Sequence, residues 1–507
     1  MQPTRSTCLV GVLLVSACHV GPSTRVPSAA VPVRAGPMDS AMSRDARALV
    51  DSLVRARRVD RPRAVGLSAA TAAPYGGSGG IWNPMPLRLN DTRDVTWLAV
   101  LRDTLLVALV NEAVANNRDL RVARFRIKEY RAQVTNARSA LLPQVIGNGI
   151  ASKQKMSFGP AVFQFSVLAL TADLSWELDF WGKTRRSVEA ARFDLGAQEE
   201  EARFTTVTLV GDVATAYLLL RELDESVRIT EETLASRRIT LALVRQRYAR
   251  GVISELDVRQ FEAQLADPAA TLADLALQRA QAETQLAQLL GRTPGTIPRG
   301  RPLVDVAQAV TPPDSIPAAL IASRPDVLWY QRAWQAAIAR IGVARGARLP
   351  DFAATAQYGE VSISTPGLPT STAPVYTLQL GVSVPLFDGG RLSSQERVAR
   401  ARAEQARNQY EQIVLTALQE STDALNGLRF GRDQMAARAT QVQALRSAYA
   451  MSDQRYQSGV TSYLELLDAA RSLFSAQLLL VQVQAQYLTA TVNLYRALGG
   501  GWRLAAR

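Results

Sequence analysis

The chain holds one histidine and two cysteines in 507 residues. Cys8 lies within an apolar amino-terminal stretch and Cys18 at its end, so the body beyond has no thiol. That excludes a disulfide framework, a thiol nucleophile and a cysteine-based zinc site. With His19 alone, a Ser-His-Asp triad, a histidine-ligated metal and histidine acid–base chemistry are also unavailable. No glycine-rich loop of Walker or Rossmann spacing is present. Carboxylates remain, but no pair of them stands out. The expectation is a chain that is not an enzyme and carries no cofactor or metal. Lysine is scarce too: the formal charge of +13 comes almost wholly from arginines spread along heptad-like segments. No basic stripe interleaved with aromatics occurs, which argues against nucleic acid as a partner.

The amino terminus reads as an address. Arg5 supplies a positive start, Cys8 to Val15 a short apolar run, and Val15-Ser16-Ala17-Cys18 follows. Such a run suits the core of a signal peptide and is too short for a membrane span. Small residues before a cysteine form the lipobox of bacterial lipoproteins, so residues 1–17 read as a signal peptide and Cys18 as the acylated first residue. His19 stands where an Asp favours inner-membrane retention, which points to the outer membrane. Residues 18–96 read as a largely irregular, lipidated segment. Within it Met42, Ala46, Leu49, Leu53 and Val54 outline one amphipathic basic helix.

What is abundant is self-similarity. Arg247-Tyr248-x-x-Gly251-Val252-x-Ser254-x-Leu256-Asp257 returns as Arg455-Tyr456-x-x-Gly459-Val460-x-Ser462-x-Leu464-Glu465, about 208 residues later. Asp119 with Leu-Pro at 142–143 returns as Asp326 with Leu-Pro at 349–350, and Leu290-Gly291 as Leu498-Gly499. A period this long marks a duplicated domain. We place the copies at 97–302 and 303–507.

Each copy combines two periodicities. Leu168, Leu170, Ala172, Leu174, Trp176 and Leu178 alternate with Val167, Ala169, Thr171, Asp173, Ser175 and Glu177. Tyr376, Leu378, Leu380, Val382, Val384 and Leu386 repeat the pattern, and neighbours near 144–155 and 352–361 complete two hairpins. One apolar and one polar face suits a transmembrane β-barrel. A soluble sheet packed on helices competes at this stage. Four strands cannot close a barrel, so the membrane reading requires an oligomer. The rest is long helix: Val213, Leu220, Val227, Leu234 and Leu241 sit seven apart, as do Leu467, Phe474, Val481 and Leu488. A sustained heptad means coiled-coil packing. Each long helix turns back at Gly251 or Gly459, and Pro268 should kink or break the first return helix.

Lipobox, duplicated helical hairpins and two-faced strands together resemble the TolC-like outer-membrane channels of tripartite efflux pumps, and among them the OprM-like lipoproteins. The specific stretches are Trp176-Glu-Leu-Asp-Phe-Trp-Gly-Lys183, Val384-Pro-Leu-Phe-Asp-Gly-Gly-Arg391, Leu464-Glu-Leu-Leu-Asp-Ala469 and Asn493-Leu-Tyr-Arg-Ala-Leu-Gly-Gly-Gly-Trp502. The resemblance implies a mainly α fold with a small β part. It implies a homotrimer with a helical α-barrel in the periplasm and a 12-stranded barrel in outer-membrane lipid, each chain giving four strands. It also implies a periplasmic adaptor, an inner-membrane pump and a passive exit duct for small molecules. A duct for protein secretion and a periplasmic coiled-coil structural lipoprotein are the alternatives.

The resemblance places the periplasmic gate at Leu464, Glu465 and Asp468. Leu464 and Asp468 are four apart and share a helix face. Their rings would give an apolar and an acidic constriction; otherwise they are a seam residue and a surface charge paired with a base such as Arg471. Gly251, Val252, Ser254, Gly459, Val460 and Ser462 form the tips that would meet the adaptor, unless they only cap the turns.

Overall fold

The computed structural model describes residues 34–35, 101, 103–159, 161–308, 316–317, 321–461 and 463–500. Cys18, the amphipathic stretch at 42–54 and Ser462 lie outside them. In chain order the elements are β1 (Arg34–Ala35), α1 (Thr104–Asn116), α2 (Arg118–Ser139), β2 (Gln144–Phe158) and β3 (Ala161–Leu178). There follow α3 (Lys183–Ala249), α4 (Glu255–Leu289), α5 (Leu303–Gln308) and β4 (Ile316–Pro317). The chain ends with α6 (Pro325–Gly346), β5 (Asp351–Ser364), β6 (Ser371–Ser383), α7 (Arg391–Gln457) and α8 (Tyr463–Ala497). Helix dominates, and the strands are few, in line with the fold class read from the sequence.

Two compact units draw on both copies. One contains residues 126–198 and 330–410, and the other contains 199–329 and 411–500 with 101–125. The first unit holds the sheet. Its order is β2-β3-β5-β6, all antiparallel. The two hairpins therefore join through β3 and β5, with Leu174 opposite Ala356 and Trp176 opposite Ala354. Strand β6 stops at Ser383, so Val384 and Leu386 fall beyond it, contrary to the alternation read from sequence. Pro385, which has no N–H to give a ladder, separates them.

The two motif stretches that follow the hairpins start helices. The Asp179 carboxylate accepts from the backbone N–H of Thr184 (3.2 Å) and Arg185 (2.8 Å). Asp388 accepts from Gly390 (2.9 Å) and Leu392 (2.8 Å). Each satisfies donors that a helix start leaves open. On α7, buried Glu396 is bonded by Arg400 (2.7 Å), Arg348 (2.7 Å) and Arg345 (3.0 Å). Arg400 first, then Arg348 and Arg345, hold its carboxyl down to about 2 against the opposing effect of burial.

The second unit is built on the heptads. Val213, Leu220, Val227, Leu234 and Leu241 of α3 are buried, and so are Phe474, Val481 and Leu488 of α8. At 67 residues, α3 and α7 each extend about 100 Å at 1.5 Å per residue. Helices α3, α4, α7 and α8 all end on one device. Gly251, Gly291, Gly459 and Gly499 take φ near +70 to +75°. The amide after each bonds a carbonyl five residues back, such as Val252 to Arg247 and Val460 to Arg455, both at 3.0 Å. That is the Schellman closure, which needs a left-handed residue.

Pro268 does not break α4, which runs unbroken from Glu255 to Leu289. A proline leaves the carbonyl four residues earlier without its donor. Here that carbonyl belongs to Gln264, and the Arg237 guanidinium of α3 donates to it. Arg237 also lies over the Phe474 ring at 5.7 Å.

Candidate functional site at the helical tips

The α3–α4 tip is a closed turn with an open crown. Ser254 caps α4: its hydroxyl accepts from the Asp257 amide (3.3 Å), and the Asp257 carboxylate accepts from the Ser254 amide (3.0 Å). This reciprocal box fixes the entry of the return helix. Beneath it Leu241, Val244, Val258 and Phe261 form a small core, with Ile253 and Tyr463 packed against it. The crown stays bare, with Val252 68% and Leu256 65% exposed.

The α7–α8 tip repeats this with Val460 at 70% and Leu464 at 67% exposed. Tyr463, the first residue of α8, stacks on Phe261 of the other tip with ring centres 3.8 Å apart. Burial lifts its phenol to about 12. Tyr456 meets Tyr463 edge-on at 6.1 Å and carries Arg247 over its face at 5.4 Å. An aromatic seam thus ties the two copies together just below both crowns.

Of the three gate positions, Leu464 and Asp468 lie exposed on one face of α8, while Leu466 points into the protein. Among the described residues Asp468 forms no ion pair, so the pairing with Arg471 weighed from sequence is not found. Glu465 behaves differently: the Thr461 hydroxyl donates to it, and Arg455 approaches to 3.8 Å. Leu464 and Asp468 share one exposed face of α8, and Glu465, one position over, is exposed as well.

A second feature was not visible in sequence. The same unit contains a cavity of about 570 Å³ between α3, α7 and α8, walled by Phe204, Leu219 and Ala485 with Glu222, Glu420 and Asp423. Burial pushes Glu222 up to about 7. Nothing in the heptad pattern distinguishes Glu222 from the solvated charges around it.

The family model described as outer membrane efflux protein matches twice, over residues 109–292 and 316–500. The solvent efflux pump outer membrane protein SrpC of Pseudomonas putida is 33% identical over 412 residues, covering 80% of this chain and 87% of that protein. The cation efflux system protein CusC of Escherichia coli is 31% identical, covering 80% and 88%. Among solved structures, the outer-membrane channel OprN matches with TM-score 0.74 at 30% identity, over 80% of this chain and 92% of that one. The open-state outer membrane channel MtrE of Neisseria gonorrhoeae matches with TM-score 0.70 at 30% identity, over 79% and 90%. The chain belongs to the outer membrane efflux protein family, whose members are channels and not enzymes.

Proposed function

We propose that three copies of this chain enclose one continuous passive duct, which carries small apolar and amphipathic molecules out through the outer membrane. The observation that supports this most is the sheet. Leu168, Leu170, Tyr376, Leu378, Leu380 and Val382 stand exposed on it, with no layer covering them among the described residues. Such a face is stable against lipid. Four strands are too few to close, and an open sheet in lipid leaves unpaired edges. Threefold closure into twelve strands removes both difficulties. In this reading residues 97–302 and 303–507 act as equivalent halves, and Cys18 carries the acyl chains that anchor the chain.

The tips at Gly251-Val252-x-Ser254 and Gly459-Val460-x-Ser462 then receive a periplasmic adaptor, which links the duct to an inner-membrane pump. Leu464 and Asp468, repeated around the axis, form an apolar and an acidic ring that narrow the closed end. Relatives named for solvent and cation efflux support a small-molecule cargo. The test is cellular. Deleting the chain should raise accumulation of a fluorescent pump substrate, and restoring it should lower accumulation only while the pump is present. Equal accumulation with and without the chain would contradict the reading.

A further inference from the structure

The strands are longer than a bilayer requires. Strand β2 has 15 residues and β3 has 18, where roughly 9–11 suffice to cross. Their register shows what the excess does. In the rows nearest the helices, one face carries Trp176, Ala354 and Leu380, then Leu174, Ala356 and Leu378. The opposite face there carries Asp173, Gln357 and Thr377 beside Ile146. Farther out the two faces exchange character. On the first face Ser166 meets Lys153 and Ser364, and Gln164 meets Lys155; Glu360, opposite Leu170, and Ser362, opposite Leu168, already mark the rim of the apolar band. On the second, Val167 meets Ile363 and Phe163 meets Met156, with Phe165 between them opposite Gln154. Lys153 and Lys155 are two of only four lysines in the chain.

The exchange falls where the bilayer should end. From Leu178 to Leu168 the first face of β3 is apolar. At about 3.4 Å per residue and a tilt near 40°, that stretch rises about 26 Å, the height of a lipid-facing band. The rows beyond it therefore stand in water. An outward lysine pair suits that position, since ammonium groups are costly in hydrocarbon. The apolar rows on the second face need another reason, because in the proposed duct that face borders a water-filled lumen.

We propose that Met156, Phe163, Phe165 and Ile363 form an apolar collar inside the outlet, a transient binding ring for bulky apolar cations and amphiphiles as they leave. The inference rests on the duct reading, which makes the second face the lumen. Phenylalanine faces attract cations, and an apolar ring disfavours hydrated ions. The collar is thus a selectivity element carried by the strands, separate from Leu464 and Asp468.

The test uses the full chain in planar bilayers, with tetraphenylphosphonium added on the hairpin side and ion current recorded. The wild type should show block from that side. Phe163→Ser with Phe165→Ser should weaken the block roughly tenfold, equivalent to losing about 1.4 kcal/mol of apolar contact. Phe163→Leu with Phe165→Leu should stay nearer the wild type. Equal block in the serine pair would overturn the collar. Absence of channels from every chain, wild type included, would overturn the duct and the collar with it. Should the serine pair alone fail to insert, Phe165→Cys in the otherwise thiol-free body gives a second measurement. Labelling of that thiol from outside intact cells should be slowed by tetraphenylphosphonium, and an unchanged rate would overturn the collar.

Discussion

The two helical tips are built alike, and the proposed duct uses them differently. Both close on a glycine at φ +70 or +73°, and both expose a valine and a leucine at matching positions. They differ along the flank. Where the second copy has Asp468 the first has Gln260, where it has Tyr463 the first has Glu255, and where it has Ala476 the first has Pro268. Turn chemistry survived duplication because the chain must reverse twice. Of these differences only Asp468 against Gln260 changes a group off the tip core; Tyr463 packs against that core, and Ala476 and Pro268 are buried.

That contrast can be broken experimentally. The largest effect should come from the acid: Asp468→Ala should raise basal conductance in planar bilayers several-fold, while Gln260→Ala leaves it unchanged. Equal responses would remove the distinction between the tips. Next, Arg237→Ala strands the Gln264 carbonyl and should cost about 1–3 kcal/mol in denaturant unfolding. Made in a Pro268→Ala background, it should cost clearly less, because the restored amide bonds that carbonyl. Identical costs would show that the guanidinium does not serve the proline.

Gly251→Ala and Gly459→Ala probe what the tips share. A Cβ at either site meets open space, so only the backbone conformation resists it. Each should cost about 1–2 kcal/mol, and by the same amount. The smallest effect contrasts Glu222 with Phe430, its counterpart in the second copy. Burial raises the folded pKa of Glu222 from 4.5 to about 7, so the native state favours its neutral form. The stability this brings is complete below the unfolded value and is lost as pH rises through about 7. Glu222→Gln should flatten that decline in melting temperature, and an unchanged profile would assign it to other groups.

Much of this was legible in the residues. The heptads at Val213–Leu241 and Phe474–Leu488 are buried because a seven-residue repeat can only face a neighbour. Gly251 and Gly459 were readable as reversals because a left-handed residue is required there. What was not legible depends on partners distant in sequence. The period-two alternation in β3 gives its two faces, but their exchange of character appears only when Lys153 is set against Ser166 and Ile363 against Val167. The same holds for Pro268: the local rule predicts a disturbed helix, and the donor that prevents a break comes from 31 residues earlier, at Arg237. Leu386 shows the reverse failure, since alternation continued past Pro385 although the ladder did not.

The central claim is that closure takes three chains. Native mass measurement of the detergent-extracted protein tests it most directly. The account predicts one dominant species at three times the mass of the mature chain, which heat dissociates into monomers. A single-chain species that remains soluble and folded after the detergent is removed would contradict it.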